Sequence, residues 1–352
     1  MAGKRKTQDN NLVIVCEGTR TEPNYFREIR DYVQCCYPGK YSVIRVVPGK
    51  EALPKVKNAV RPKRALRSDN PYRYFEMEEQ NASLYQQYKK EPVRFVREVQ
   101  LFVQTKGFTR GWAVFDYDNR PQQNLSEAFD LVKANPSLSI AFSSYSFEEW
   151  ILFHFEQNPT AFFESECKDI NNKSVQCGLH CSHDDCHGSK CLAGRIRECQ
   201  YIPGYSKEMQ GLFANYLFPL LDNAFFNSAW IRSERTPVFS QNPVTTVDAL
   251  VGEILDLPLY RRISSGDSFS INGTDYQLSI TTVGISLKNI SSVGSNINPG
   301  VLLPIDSNRN SLPLLFNSIT FIRPGEEMQL TLPSDCKYIQ INVNFERWVF
   351  PV

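Results

Sequence analysis

Two short apolar runs that each end abruptly in acids constrain this 352-residue chain more than any other feature. Leu12-Val13-Ile14-Val15-Cys16 stops at Glu17-Gly18, and Trp112-Ala113-Val114-Phe115 stops at Asp116-Tyr117-Asp118. Unbroken apolar runs of this length fit strands buried on both faces, as in parallel sheets whose crossovers cover each side. Helical segments follow them. Thr21-Glu22-Pro23 offers a cap and a first-turn proline, and Tyr25, Phe26, Ile29 and Val33 then recur at helical spacing. The pattern predicts a further strand over 41–47, helices over 92–106 and 124–134, a strand over 138–142 and an apolar helix over 147–155. Strands alternating with helices specify an α/β domain around a parallel, Rossmann-like sheet.

The texture changes twice after that. Residues 167–199 are rich in Cys and His, and 205–227 and 244–257 return to helical periodicity. From 259 onward, segments such as Tyr276-Gln277-Leu278-Ser279-Ile280 and Tyr338-Ile339-Gln340-Ile341 alternate with period two between Gly, Asn, Ser and Pro turns. That is the pattern of an antiparallel, all-β sandwich. The expected organisation is a disordered basic arm over 1–10, an α/β domain over 11–258 with a Cys-rich insertion at 167–199, and a β-sandwich over 259–352 that serves as a partner-docking module.

The acids sit where an open parallel sheet binds ligands, outside the carboxyl ends of its strands. In an extended Asp-x-Asp, period two turns both side chains the same way. Glu17, Asp116 and Asp118 together offer hard oxygen donors suited to Mg2+ or Mn2+, and a Glu crowded by like charges serves as an acid or base. Either motif alone reads as solvated turn acids; the two together on successive buried strands read as a site.

Four ordered segments carry a resemblance. Val13-Ile14-Val15-Cys16-Glu17-Gly18-Thr19-Arg20-Thr21-Glu22-Pro23 resembles the opening motif of the RloB/AbiLii family, which is Toprim-related and found beside restriction and abortive-infection loci. Phe115-Asp116-Tyr117-Asp118 resembles its Asp-x-Asp strand, Ser146-Phe147-Glu148-Glu149-Trp150 its phenylalanine-glutamate-x-tryptophan helix, and Asn242-Pro243-Val244-Thr245-Thr246-Val247 its closing segment. The resemblance covers about 11–258 and implies a Toprim-like fold. It also implies Glu17 as general acid/base, Asp116 and Asp118 as magnesium ligands, and Glu148 as a fourth acid, a residue that otherwise serves to cap its own helix. The activity implied is a Mg-dependent nuclease effector of anti-phage defence. It would cleave DNA or RNA, tRNA included, when activated with a partner ATPase. The alternative is a non-catalytic nucleic-acid or ATPase-binding regulator with a degenerate site. The sequence departs from the family in Ser144-Tyr145-Ser146, where asparagine-proline-x is usual, in a longer 50–90 segment, and in its Cys-rich and β-sandwich additions.

Six of the ten cysteines and three of the four histidines lie within 167–199. Cys177, Cys181, Cys186 and Cys191 form the tightest set, with His180, His183 and His187 as alternative ligands and Cys167 and Cys199 on the flanks. Four soft donors in a short loop suit a structural, tetrahedral Zn2+. The net charge of +1 conceals a basic first third, in which 22 Lys/Arg face 12 Asp/Glu over residues 1–110, beside an acidic middle with 10 against 19 over 111–258. Lys55, Lys57, Arg61, Lys63 and Arg64, followed by Tyr72, Tyr74 and Phe75, combine cations for phosphates with faces for unpaired bases. The same segment reads equally as a solvated basic loop. No apolar run reaches the ~18 residues of a membrane helix, and the polar N-terminus has no signal-peptide core, so the expected location is the cytoplasm, with thiols reduced or metal-bound.

Overall fold

The computed structural model describes residues 10–48, 90–117, 120–157, 160–171, 173–175, 177, 186–233, 242–282, 284–307, 309–343 and 346–352. The basic arm, the basic-aromatic segment with Lys55, Lys57, Arg61, Lys63 and Arg64, and Asp118, His180, Cys181 and His183 lie outside the described residues. The chain divides into two compact units, Met1–Leu255 and Asp256–Val352.

In the first unit, β1 (Asn11–Cys16), β2 (Val43–Val47), β3 (Arg110–Asp116) and β4 (Leu138–Ser143) form one sheet in the order β2-β1-β3-β4. Every pairing is parallel, with Val15 opposite Ala113 and Asp116 opposite Ser143. The continuous apolar runs are buried on both faces for the reason their composition suggests: each face carries helices. Val13, Val15, Ala113, Phe115 and Phe142 pack against Val93, Phe95, Val96, Val99 and Phe102 of α2 (Val93–Thr105) and Leu125 and Ala128 of α3 (Gln122–Lys133). α1 (Thr21–Cys36) and the later helix α7 (Val247–Leu255) contact each other, and they contact β2 and β4 respectively.

After β4 come α4 (Glu148–Leu152), α5 (Leu192–Glu198) and α6 (Leu221–Ser233). α4 is a short helix whose Trp150 is fully buried and donates Nε1–H to Tyr25 Oη at 2.9 Å. The helical periodicity over 205–227 does not become one helix. Residues 205–211 are irregular, Phe213–Leu217 is a π turn, and the regular helix begins at Leu221. Glu28 of α1 intercepts this start, accepting from the amides of Gly211 and Phe213 at 2.7 and 2.8 Å. The segment before it is thereby left free to carry Tyr205 and Lys207 elsewhere. Residues 242–246 return to the end of β4, where Thr246 N donates to Phe142 O at 2.8 Å and Ser144 N to Val244 O at 2.7 Å.

The second unit is built from strands. β5 (Tyr260–Arg262), β10 (Leu302–Ile305), β13 (Tyr338–Val343) and β14 (Glu346–Pro351) form one sheet in the order β10-β13-β14-β5. β6 (Ser268–Ile271), β7 (Thr274–Thr281), β8 (Gly284–Asn289) and β12 (Glu327–Thr331) form a second in the order β12-β8-β7-β6. β9 (Ser295–Ile297) and β11 (Thr320–Ile322) make a separate pair. Ile271, Leu278 and Leu287 of one sheet share a core with Leu302, Ile339, Ile341 and Trp348 of the other, which is a sandwich. Its pairings are antiparallel except that of β5, which joins β14 in parallel. Among the described residues no helix is long and apolar enough to cross a membrane.

Candidate active site and thiol cluster

The order β2-β1-β3-β4 reverses direction between β1 and β3, and the crevice at such a switch point is where doubly wound sheets bind ligands. Both motif acids end there. Glu17 follows β1 and extends its ladder by one bond, its amide donating to Val114 O at 2.7 Å. Its carboxylate then accepts from the amide of Asp116, the last residue of β3, at 3.0 Å. Arg120 closes the other side of Glu17 with an ion pair and reaches Glu91 at 3.4 Å.

Two more acids stand behind this pair. Glu22, in the first turn of α1, is 6 % exposed and lies so close over Gly18 that a Cβ there would overlap its carboxylate. Burial, reinforced by Glu148 and Glu17, raises its carboxyl to about 7 against a backbone hydrogen bond and Lys207. Burial likewise pushes Asp116 well above the carboxylate range, with Glu22, Glu17, Glu148 and Glu149 adding to it. Glu17 is raised by burial while Arg120 pulls it back. These directions describe a site with more negative charge than its own cations neutralise.

Glu148, 2 % exposed, is held by Ser146 Oγ at 2.7 Å, Tyr205 Oη at 3.0 Å, Ser165 Oγ at 3.1 Å and Lys207 Nζ at 3.6 Å. Lys207 Nζ also donates to Ser165 Oγ at 2.8 Å, and Thr21 Oγ1 ties the Lys207 carbonyl to the start of α1 at 3.2 Å. Burial alone would depress the Lys207 ammonium, but Glu148, Glu166, Asp116 and Glu22 lift it above its ordinary value. Glu149, fully buried, has a structural role. It accepts from Ser144 N and Oγ, both at 2.9 Å, and so fixes the turn between β4 and α4. Neither acid caps α4, which has no side-chain cap bond; Glu149 braces the turn before it, and Glu148 faces the acid group.

Glu17, Asp116 and Glu148, all singled out by the sequence motifs, lie in one electrostatic neighbourhood. Glu22, Arg120, Tyr205 and Lys207 join them without a sequence motif that marks them as site residues. Glu22 was legible only as a first-turn acid, and nothing in the pattern around 205–207 separates those residues from a helix. Among the described residues, these carboxylates do not converge to the spacing of a closed metal cage; Glu17 is engaged by Arg120 and Glu148 by Lys207.

The thiols do converge. Cys167, Cys177, Cys186 and Cys191 are all buried, and their sulfurs lie within 4.8 Å of one another, a group that could hold a metal ion. This differs from the set chosen by spacing in one member. Cys167, ten residues before Cys177 in the chain, supplies the fourth sulfur, and Cys181 lies outside the described residues. His187 is exposed and is not part of the group. Loop spacing favours near neighbours, whereas a β-bridge between Glu164 and Cys191 brings the earlier segment back.

The family model described as RloB-like protein matches residues 12–254. No curated protein and no solved structure matches the chain.

Proposed function

The chain belongs to the RloB-like family, and on that premise we infer that it is a metal-dependent phosphodiesterase of Toprim type, a nuclease effector in defence against phage. The observation that carries this reading is the meeting of Glu17 and Asp116 at the switch point of the sheet, with Glu22 and Glu148 behind them. The donors are hard oxygens and carry surplus negative charge, which is the chemistry that takes Mg2+ or Mn2+. Glu17, Asp116 and, by the sequence motif, Asp118 would hold the ion. When bound it supplies positive charge to the phosphate oxygens and the attacking water.

The protein's own groups do the rest. Glu17, raised by burial, exchanges a proton with the attacking or leaving oxygen. Arg120 orients Glu17 and opposes the upward push of burial on its carboxyl. Lys207, the cation on the Glu148 side, offers charge to a phosphate oxygen. The substrate class is DNA or RNA, tRNA included, the partner is an ATPase, and the cytoplasm is the place of action.

A second reading has its own support. Arg120 and Lys207 occupy the carboxylates, as they would in a non-catalytic regulator with a degenerate site. One experiment separates the two. The full chain, with and without a candidate partner ATPase, is incubated with plasmid, single-stranded DNA and total tRNA in Mg2+, in Mn2+ and in EDTA. Divalent-dependent cleavage that falls by about 100-fold or more in Glu17→Gln and Asp116→Asn supports the nuclease. Binding without cleavage in every arm supports the regulator.

A further inference from the structure

The thiol cluster lies close in the chain to the acids' support. Cys167 is two residues beyond Ser165, whose hydroxyl donates to Glu148 at 3.1 Å and accepts from Lys207 at 2.8 Å. The other side of the cluster is stitched to the same segment, with Leu192 N donating to Glu164 O at 3.0 Å and Ala193 N to Ser165 O at 2.9 Å. Phe163 N adds a bond to Lys190 O at 2.9 Å. The 163–167 segment thus has the thiols at one end and the hydroxyl that joins Glu148 to Lys207 near its middle.

The cluster is built for a soft metal. Its sulfurs are separated by 3.1 Å (Cys167–Cys191), 3.5 Å (Cys167–Cys186) and 3.8 Å (Cys177–Cys191). Those gaps are far beyond the ~2.05 Å of a disulfide and close to the about 3.8 Å between sulfurs of a tetrahedral zinc thiolate with ~2.3 Å bonds. Two glycines make room. At Gly194 a Cβ would overlap Cys191 Sγ and come within 2.7 Å of Cys177 Sγ. Gly188 has φ +78°, and its amide donates to Cys177 Sγ at 3.1 Å, a bond that favours thiolate. A four-sulfur site has no open position for chemistry, so its contribution is structural.

We propose that Cys167, Cys177, Cys186 and Cys191 bind one zinc ion, and that this zinc is the latch that holds Ser165 between Glu148 and Lys207. The zinc centre stands independently of the nuclease reading; its effect on cleavage rests on that reading.

The test uses the full chain purified from zinc-supplemented cells without chelator. Elemental analysis reads about one zinc per chain in the wild type, Cys181→Ser and Cys199→Ser, and near none in Cys167→Ser and Cys191→Ser. Cobalt exchanged into the site gives the intense charge-transfer bands of four thiolates. Zinc retained by Cys167→Ser, zinc lost from Cys181→Ser, or a metal-free wild type overturns the ligand set. The latch is read by hydrogen exchange before and after stripping with a zinc-selective chelator, a measurement that does not depend on a thiol variant folding. Stripping speeds exchange about tenfold or more at Leu192–Ala193 and across 205–209 while β1 and β3 keep their protection. Ser165→Ala keeps zinc yet loosens 205–209. Unchanged exchange across 205–209 in both samples overturns the latch. If the wild type cleaves nucleic acid, the stripped protein cleaves it at least tenfold more slowly. A wild type that binds zinc and cleaves nothing, with the candidate ATPase present, refutes the nuclease reading alone.

Discussion

Glu22 shows how one carboxylate reports on a whole site. A carboxyl raised to about 7 keeps its proton in the folded chain over a range where the unfolded chain, at the ordinary 4.5, has released it. Stability therefore falls as pH rises between those two values, by at most about 3 kcal/mol for a shift of this size. Glu148, Glu17 and Lys207 are the charged neighbours that set the value, with burial the first cause. Glu22→Gln should flatten this dependence. In EDTA, urea unfolding at pH 8 should find the variant about 1–3 kcal/mol more stable than the wild type, and the two alike near pH 4.5. Equal loss of stability in both proteins between those pH values would show that Glu22 does not carry the surplus charge. In the wild type, Mn2+ should raise the melting temperature at pH 8, because a divalent cation answers the same charge, and Asp116→Asn should blunt that rise. Asp116 and Glu17 were legible because each terminates a buried strand. Glu22 was not, since a first-turn acid is common at helix starts whether or not it faces a site.

The elements matter through what each brings to its neighbours. α4 is a short helix and would not persist alone. It is held by Trp150, which is fully buried, donates to Tyr25 of α1 at 2.9 Å and packs edge-on against His154. Tyr25→Phe leaves the indole N–H without its acceptor in a dry environment. We expect a loss of about 1–3 kcal/mol in urea unfolding, with the sheet intact by circular dichroism; a neutral result would mean that the hydrogen bond is dispensable and packing alone seats α4. The segment 205–211 teaches the opposite lesson to β1 and β3. Its apolar spacing continues into a helix, yet Glu28 caps the chain at Gly211 and Phe213, and the residues before it are drawn into the acid site by Glu148 and Thr21. In this segment only Tyr205 is buried, so the spacing that reads as a helix over 205–227 is carried by the residues from Leu212 onward.

At the scale of the molecule, the division at Leu255 and Asp256 separates two hydrophobic cores. Glu17, Asp116, Glu148, Lys207 and the four thiols all belong to the first unit. A chain ending at Leu255 should fold cooperatively, bind its zinc, and keep any divalent-dependent cleavage within about tenfold of the full chain when assayed without partner. The loss should appear in assembly with, or activation by, the proposed partner ATPase. Zinc content, thermal melting and co-purification measure the three separately. Loss of zinc or of cooperative melting on truncation would show that the second unit supports the first, and would remove the docking role assigned to it.

The sequence by itself determined the parallel α/β order, the turn of both acid motifs toward one end of the sheet, the density of thiols at 167–199 and the period-two texture of the last unit. Each is a local property: burial on both faces demands continuous apolar runs, and a half-exposed sandwich demands alternation. Tertiary structure alone decided the rest. It placed β1 beside β3 and so joined Glu17 to the amide of Asp116; it brought Cys167 to Cys177, Cys186 and Cys191 by pairing Glu164 with Cys191; and it set Lys207 against Glu148 across a gap of 59 residues in sequence. Those choices follow from pairing and packing between segments far apart in the chain, whose energies no local pattern records.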